Sequence, residues 1–412
     1  MSNTEKKLTA AALGAWLLVA IYYFFQYALR SAPSVMIPQL TSAFAVDALG
    51  VSAIVGMFYY GYSPFSLVAG AAIDRFGAKL TIPIGAALVG IGALMFASGN
   101  VPVANVGRFI QGAGGAFALI GAAYLVNKNF PLSMAASFIG ATQMFGMAGG
   151  SAGQFLVGPM ITRGVPWNQF WIYAGILGLV IGVLLFALLP KEEKSATAKG
   201  GWGAVFVALG RVFANPQSII CGLISGLLFI PTTILAMTWG VRFLQEGRGR
   251  EYDSAVMLAA TVPLGWMIGC PLLGFISDRL GRRKPVILAG AIGLLATLAW
   301  VLFGDPTIFR GAPVGIIMGI FSGAAMIPYT VIKEANPPEL GGSATGVINF
   351  INFTFSALLG PVFGSRLVKL SEGSELSLEH YQAGFQPLLY GVGAAIVLAF
   401  LLKETGPKAR KA

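Results

Sequence analysis

Gly274-Phe275-Ile276-Ser277-Asp278-Arg279-Leu280-Gly281-Arg282-Arg283-Lys284 closes one long apolar run and opens the next. Gly70-Ala71-Ala72-Ile73-Asp74-Arg75-Phe76-Gly77-Ala78-Lys79 does the same in the first half of the chain. In both, a glycine lies four residues ahead of an Asp-Arg pair, and a second glycine and basic residues follow. Glycine permits a tight turn and close helix approach, while the aspartate can cap the next helix or pair with basic residues across the same face. The motif recurs at matching places in two sets of apolar runs, so the chain is built twice.

Composition sets the solvent. Of 412 residues, 56% are hydrophobic and only 10% charged, whereas soluble domains carry about 25% charged residues. A hydrocarbon core of about 30 Å takes roughly 20 apolar residues per helical crossing. Uncharged runs between polar breaks predict twelve spans: 12–37, 50–72, 80–98, 101–126, 134–160, 168–190, 217–244, 254–276, 285–303, 311–332, 343–366 and 384–402. The runs are continuously apolar, unlike the alternating ten-residue strands of a barrel. The first run is too long for a signal-peptide core and no small-residue cleavage site follows it.

The sequence therefore reads as an all-α membrane protein of twelve transmembrane helices in two pseudo-symmetric six-helix halves. The halves are residues 1–190 and 217–412, and 191–216 forms a linker on the cytoplasmic side. Its Lys-Glu-Glu-Lys opening and Trp202 suggest a surface segment with an amphipathic piece on the membrane, too short for a further domain.

Of the 27 lysines and arginines, eighteen fall on the loops and termini that share the N-terminal side and seven on the opposite side. The positive-inside rule then puts both termini in the cytoplasm. The net charge of +11 is mostly this topology signal, spread over short loops, and does not describe a nucleic-acid surface. Cys221 and Cys270 both fall in apolar spans and read as packing residues. No cluster has metal-ligand spacing, no phosphate-binding loop occurs, and no Ser/His/Asp set could meet within the membrane. Enzyme chemistry, a bound cofactor and ATP-driven transport are thereby disfavoured.

The doubled element resembles the hallmark of the major facilitator superfamily, Gly-x-x-x-Asp-Arg-x-Gly-Arg-Lys in each six-helix half. Arg108-Phe109-Ile110-Gln111-Gly112 is similar to that family's Arg-x-x-Gln-Gly element of the fourth helix, and Lys403-Glu404-Thr405-Gly406 echoes its Pro-Glu-Thr-x-Gly ending. The resemblance implies a secondary transporter of the bacterial inner membrane, monomeric, working by alternating access. Its partners would be a small-molecule substrate and the lipid bilayer. It also implies gating roles for Asp74, Arg75, Asp278 and Arg279, and a structural or gating role for Arg108. The glycine ladder of the fifth helix has Pro159 late, so the family's antiport signature is not established.

Charge within the bilayer is costly and marks function. Only Arg30 and Arg108 lie well inside the spans, every carboxylate lies in a loop, a terminus or a last turn, and the single histidine, His380, precedes the last helix. The usual buried proton-coupling group is missing, which favours exchange, a substrate-borne proton or the membrane potential as the driving force. Tyr23, Gln26, Tyr27 and Arg30 follow i, i+3, i+4 and i+7, so one face of the first helix carries a guanidinium, two phenols and an amide. A guanidinium is permanently charged and matches a carboxylate with two parallel donors.

The string Tyr22-Tyr23-Phe24-Phe25-Gln26-Tyr27-Ala28-Leu29-Arg30 resembles helix 1 of the organophosphate:phosphate antiporter (glycerol-3-phosphate transporter) group and of related bacterial organic-solute permeases. In that group an arginine here is one of a symmetric pair on the anion. The seventh span offers Thr232, Thr233 and Trp239 but no second arginine, and the fifth has Gln143 where the group uses histidine. One positive charge suits a monocarboxylate or zwitterion better than a phosphate dianion.

Further cavity candidates are Tyr59, with Tyr60 and Tyr62, on the second span; Gln143 on the fifth; Thr233 and Trp239 on the seventh; Trp266 on the eighth; Tyr329 on the tenth; and Asn349 and Asn352 on the eleventh. The expected activity is secondary transport of a small organic anion or zwitterion with Arg30 on the acid group. Permeases for phosphate esters, nucleosides or siderophores, and a non-transporting ligand sensor, remain the alternatives.

Overall fold

The computed structural model describes residues 9–130, 132–190, 202–305, 312–337, 340–371 and 374–406, and every regular element among them is helical. The long helices of the first half are α1 Ala10–Ser31, α2 Ala48–Phe76, α3 Ala78–Phe96, α4 Val101–Asn129, α5 Leu132–Phe155 and α6 Trp167–Leu188. Those of the second are α7 Pro216–Gly247, α8 Tyr252–Leu280, α9 Lys284–Phe303, α10 Ala312–Glu334, α11 Gly341–Ser371 and α12 Leu378–Leu401. Among the described residues, ten helical segments are long and apolar enough to cross a membrane, and the bent pair Ile37–Phe44 with Ala48–Ile73 makes an eleventh. Helix α5, 24 residues long, completes the twelve.

Packing repeats with the motif. In the first half α1 lies on α5, α2 on α4 and α3 on α6; in the second, α7 lies on α11, α8 on α10 and α9 on α12. The halves meet through α2 on α11 and α5 on α8, contacts that exchange when each helix is replaced by its counterpart in the other half. Glycine makes the tightest of these seams possible. A Cβ at Gly61 would fall 2.0 Å from the Phe109 carbonyl oxygen and one at Gly112 1.8 Å from that of Phe58, so α2 and α4 touch backbone to backbone. Gly265 and Gly319 repeat the arrangement between α8 and α10, with 2.1 Å to the Ile316 oxygen and 2.0 Å to that of Val262. Lipid gives no hydrophobic drive for helices to associate, so close backbone approach supplies the van der Waals contact that does.

Three helices are broken near the middle of the bundle or just beyond it. α1 passes through a 3-10 turn at Ala32–Val35, with Pro33 inside it, into the short helix Ile37–Phe44. α7 winds as a π-helix over Pro231–Trp239, where Pro231 has no N–H to give, and α10 narrows to a 3-10 turn at Gly323–Met326. Within 191–216 the structure describes a helix at Trp202–Phe213 whose Phe213 ring meets Phe350 of α11 and whose Phe206 and Val207 are exposed. Its apolar outer face fits a membrane surface; residues 191–201 lie outside the described residues.

The two ends of the bundle differ. At the end where α8 begins, hydrogen bonds join the halves. Tyr252 Oη donates to the Val35 carbonyl at 2.5 Å, Gln154 Nε2 to the Ala236 carbonyl at 3.0 Å, and Ser151 Oγ to the Ala260 carbonyl at 2.9 Å. At the other end a polar network sits within the second half. Arg283 bridges Asp278 at 2.5 Å and Glu334 at 2.8 Å, while the Glu404 carboxylate accepts from the backbone N–H groups of Arg283 at 2.7 Å and Lys284 at 3.1 Å. The Lys403-Glu404-Thr405-Gly406 tail thus caps the start of α9, and Thr405 Oγ1 adds a 2.6 Å bond to Glu334.

Candidate functional site

Arg30 lies where the halves meet. It is 2% exposed, and its guanidinium carbon is 4.4 Å from the Tyr27 ring, 4.8 Å from Phe353, 5.0 Å from Tyr59 and 5.6 Å from Phe229. The first half supplies Tyr27 and Tyr59; the second supplies Phe229 from α7 and Phe353 from α11. Ring faces stabilise a cation by about 0.5 to 2 kcal/mol apiece without neutralising it, so the charge persists. Nε donates to Tyr59 Oη at 3.2 Å, but among the described residues neither Nη1 nor Nη2 has a hydrogen-bond partner. One turn earlier on α1, both amide atoms of buried Gln26 are also unpaired, as is the hydroxyl of Tyr62 on α2. More than nine in ten buried polar groups find partners, so unpaired donors gathered around one cation are a site prepared for a guest.

A small central cavity of about 10 Å³ shares the Tyr27, Phe229 and Phe353 rings with the guanidinium's surroundings, although Arg30 itself does not line it; Tyr23, Gln143 and Leu119 from the first half and Trp266, Met326, Tyr329, Asn349 and Asn352 from the second complete the wall. That volume holds about one water, so the centre is occluded around its polar groups. Tyr23 Oη donates to Gln143 Oε1 at 3.1 Å. Trp266 Nε1 donates to Thr232 Oγ1 at 2.8 Å, which directs the indole N–H away from any ligand. Tyr329 Oη donates to Asn349 Oδ1 at 2.5 Å and accepts from Asn352 Nδ2 at 3.2 Å. A larger cavity of about 120 Å³ lies wholly within the second half between α7, α8, α9 and α10; its wall is mostly apolar but includes Arg248, Arg250 and Asp305, and Arg30 is not part of it.

Other predicted residues lie elsewhere. Thr233 shares its hydroxyl with Ser356 at 3.1 Å, knitting α7 to α11. Trp239 falls outside the cavity wall, beside Arg242 and Gly364. Over the π-winding of Pro231–Trp239 each i→i+5 turn holds an extra residue, so Thr232 and Trp239, seven apart, do not share a face as they would on an α-helix. Tyr60 is 37% exposed on the outer surface, whereas Tyr59 and Tyr62, three apart, face Arg30. Arg108 is fully buried and donates to Leu29 O at 3.2 Å, Val55 O at 3.3 Å and Gln111 Oε1 at 2.7 Å, which pins α4 to α1 and α2. Of the gating candidates, Asp278 pairs with Arg283 of its own half, Arg279 lies over the Phe275 ring and Arg75 over Phe76; the Asp74 side chain lies outside the described residues. Leu119, Phe229, Met326 and Phe353 are the lining residues that sequence reasoning missed, because nothing separates them from the other apolar residues of the spans.

Two six-helix repeats with broken helices closing on a charged, occluded centre have the architecture of secondary transporters. A family model described as Major Facilitator Superfamily matches residues 19–361, and the chain belongs to that family. It is similar to the hexuronate transporter of Bacillus subtilis, with 24% identity covering 82% of this chain and 84% of that one. It is also similar to the 4-hydroxybenzoate transporter PcaK of Pseudomonas aeruginosa, with 24% identity covering 81% of each chain. Among solved structures, the xylose transporter XylE of E. coli in a partially occluded inward open conformation superposes with a TM-score of 0.70 at 16% identity, covering 96% of this chain and 99% of that one. The family is one of transporters of small molecules within a membrane, not of enzymes.

Proposed function

We propose that this protein is a secondary active transporter of a small organic anion, a monocarboxylate or an amino-acid-like zwitterion, and that Arg30 holds the acid group. The observation that carries the reading is the Arg30 guanidinium, buried between the halves with two amino groups unpaired and no carboxylate among its described neighbours. A planar carboxylate presented to Nη1 and Nη2 makes the two parallel charge-assisted bonds that Arg favours. It also removes the cost of an unpaired buried cation, so occlusion is cheaper with the anion aboard. Hexuronate and 4-hydroxybenzoate, named for two of the relatives, are both carboxylates.

Access alternates by rocking of the halves, residues 1–190 and 217–412 joined through 191–216, about this fixed site. The end carrying Arg283 faces the cytoplasm with both termini, in a bacterial inner membrane, and the monomer is the working unit. Proteoliposomes loaded with a carboxylate and offered labelled carboxylate outside test the reading. Exchange that is lost in Arg30→Ala is expected. Saturable binding without accumulation would identify a ligand sensor instead.

A further inference from the structure

We propose that the site reads a second group on its substrate, a hydroxyl about one short molecule's length from the acid, through the amide pair Asn349 and Asn352. The ligand class narrows to hydroxy-monocarboxylates. The proposal rests on Arg30 holding the acid.

Its basis is a count of protons. Tyr329 Oη lies between the two amides, donating to Asn349 Oδ1 and accepting from Asn352 Nδ2. A phenol has one proton to give, so it satisfies one amide oxygen, and as placed it accepts from one amide nitrogen. Asn349 Nδ2 and Asn352 Oδ1 are left buried and unpaired. Turning both amides over swaps their roles and again leaves one N–H group and one carbonyl oxygen. In either setting that lets the phenol both donate and accept, this pole of the cavity offers one donor and one acceptor.

The rest of the wall does not meet them. Tyr23 and Gln143 bond each other, the Trp266 N–H is taken by Thr232, and Leu119, Phe229, Met326 and Phe353 are apolar. A hydroxyl satisfies both groups with a single atom, giving its proton to Asn352 Oδ1 and accepting from Asn349 Nδ2. It can take the place of the one water the cavity has room for. A second carboxylate has acceptors only and would face the Asn352 carbonyl with like polarity. An ammonium has donors only and would face the Asn349 N–H. A hydrogen or methyl leaves both unpaired.

Spacing follows from α11. Asn349, Asn352 and Phe353 share one helix face, and the Phe353 ring is 4.8 Å from the Arg30 guanidinium carbon. The two amides lie four and one residues before Phe353, about 6 and 1.5 Å along the helix, a separation from the level of Arg30 that a benzene ring or a three-carbon chain can span. The aromatic side chains between the poles suit an apolar middle.

Calorimetry on the purified full-length protein tests this with 4-hydroxybenzoate, benzoate, terephthalate and 4-hydroxybenzamide, together with 4-hydroxybutanoate. Wild type should bind 4-hydroxybenzoate at least about tenfold more tightly than benzoate or terephthalate, because a site built for a hydroxyl rejects the analogue that lacks one. In the Asn349→Ala/Asn352→Ala double variant the hydroxybenzoate-to-benzoate ratio should fall within threefold while the preference for 4-hydroxybenzoate over 4-hydroxybenzamide persists. The wild-type series decides even if that variant does not fold. Benzoate or terephthalate binding within threefold of 4-hydroxybenzoate would overturn the hydroxyl reading and leave Arg30 untouched. 4-Hydroxybenzamide binding as tightly as the acid would overturn the Arg30 reading instead. If neither hydroxy acid binds, the substrate class is wrong.

Discussion

Removing the three hydrogen bonds that join the halves at the Tyr252 end should open that end. Ser151→Ala, Gln154→Leu and Tyr252→Phe delete the bonds to the Ala260, Ala236 and Val35 carbonyls. Interhelical hydrogen bonds in membranes average about 0.6 kcal/mol, so three should contribute roughly 2 kcal/mol to the closed state. That is about a thirtyfold change in the ratio of closed to open. Gln154 should be the largest single contributor: it is fully buried, and it serves a carbonyl in the π-helical stretch of α7, whereas Ser34, its other partner, keeps a bond to the Ser31 carbonyl. Spin labels at exposed Asn168 and Glu379, one per half at this end, would report the opening as growth of a long-distance population, after Cys221 and Cys270 are replaced. A triple variant with the parent's distance distribution would refute the reasoning, as would opening at the Arg283 end alone.

Three further outcomes are expected. Partial burial works to raise the Glu404 pKa, but backbone N–H donors from Arg283, Gly406, Lys284 and Thr405 outweigh it and hold the carboxyl below its ordinary value. A depressed folded pKa gives stability that is present above the unfolded value of about 4.3 and lost as pH falls through the folded one. Protection factors at the start of α9, corrected for the base-catalysed intrinsic exchange rate, should thus be steady from pH 5 to 8 and fall in Glu404→Gln, and a loss of protection in the wild type between pH 8 and 6 would contradict this. Arg108→Met removes two buried bonds between helices and one within α4 and should cost about 2 to 4 kcal/mol of stability, seen as a lower Tm with the acid-over-amide preference intact; loss of that preference would make Arg108 a substrate contact. With exchange substrate loaded on the far side, uptake of a permanently ionised acid should vary little between about pH 6 and 8, and collapse on dissipating the proton gradient would count against pure exchange.

The sequence carried the fold because each signal was long-range and redundant: two copies of Gly-x-x-x-Asp-Arg-x-Gly, twelve apolar runs and a charge bias. Arg30 was legible for the same reason that it is costly, as a charge in an apolar run with Tyr27 one turn away. Asn349 and Asn352 stood out as amides at i and i+3. Phe229 and Phe353 carried no such mark, and only tertiary packing sets them against Arg30. Trp239 lies outside the wall of the small cavity, and the proline-started π-helix that carries it brings a change of residue count per turn that hydropathy does not register. The bridging of Asp278 and Glu334 by Arg283 inside one half depends on where α10 ends relative to α9, a distance the sequence does not contain.

The most direct test of Arg30 is a cycle across protein and ligand: wild type and Arg30→Ala, each titrated calorimetrically with the best-binding acid and with its amide. If the guanidinium holds the carboxylate, Arg30→Ala should cost the acid about 3 to 5 kcal/mol, more than a hundredfold in Kd. The amide should lose little, and Arg30→Lys should restore only part because it keeps the charge without the planar fork. Equal losses for acid and amide would mean that Arg30 does not touch the charge, and the assignment of an organic anion would fall with it.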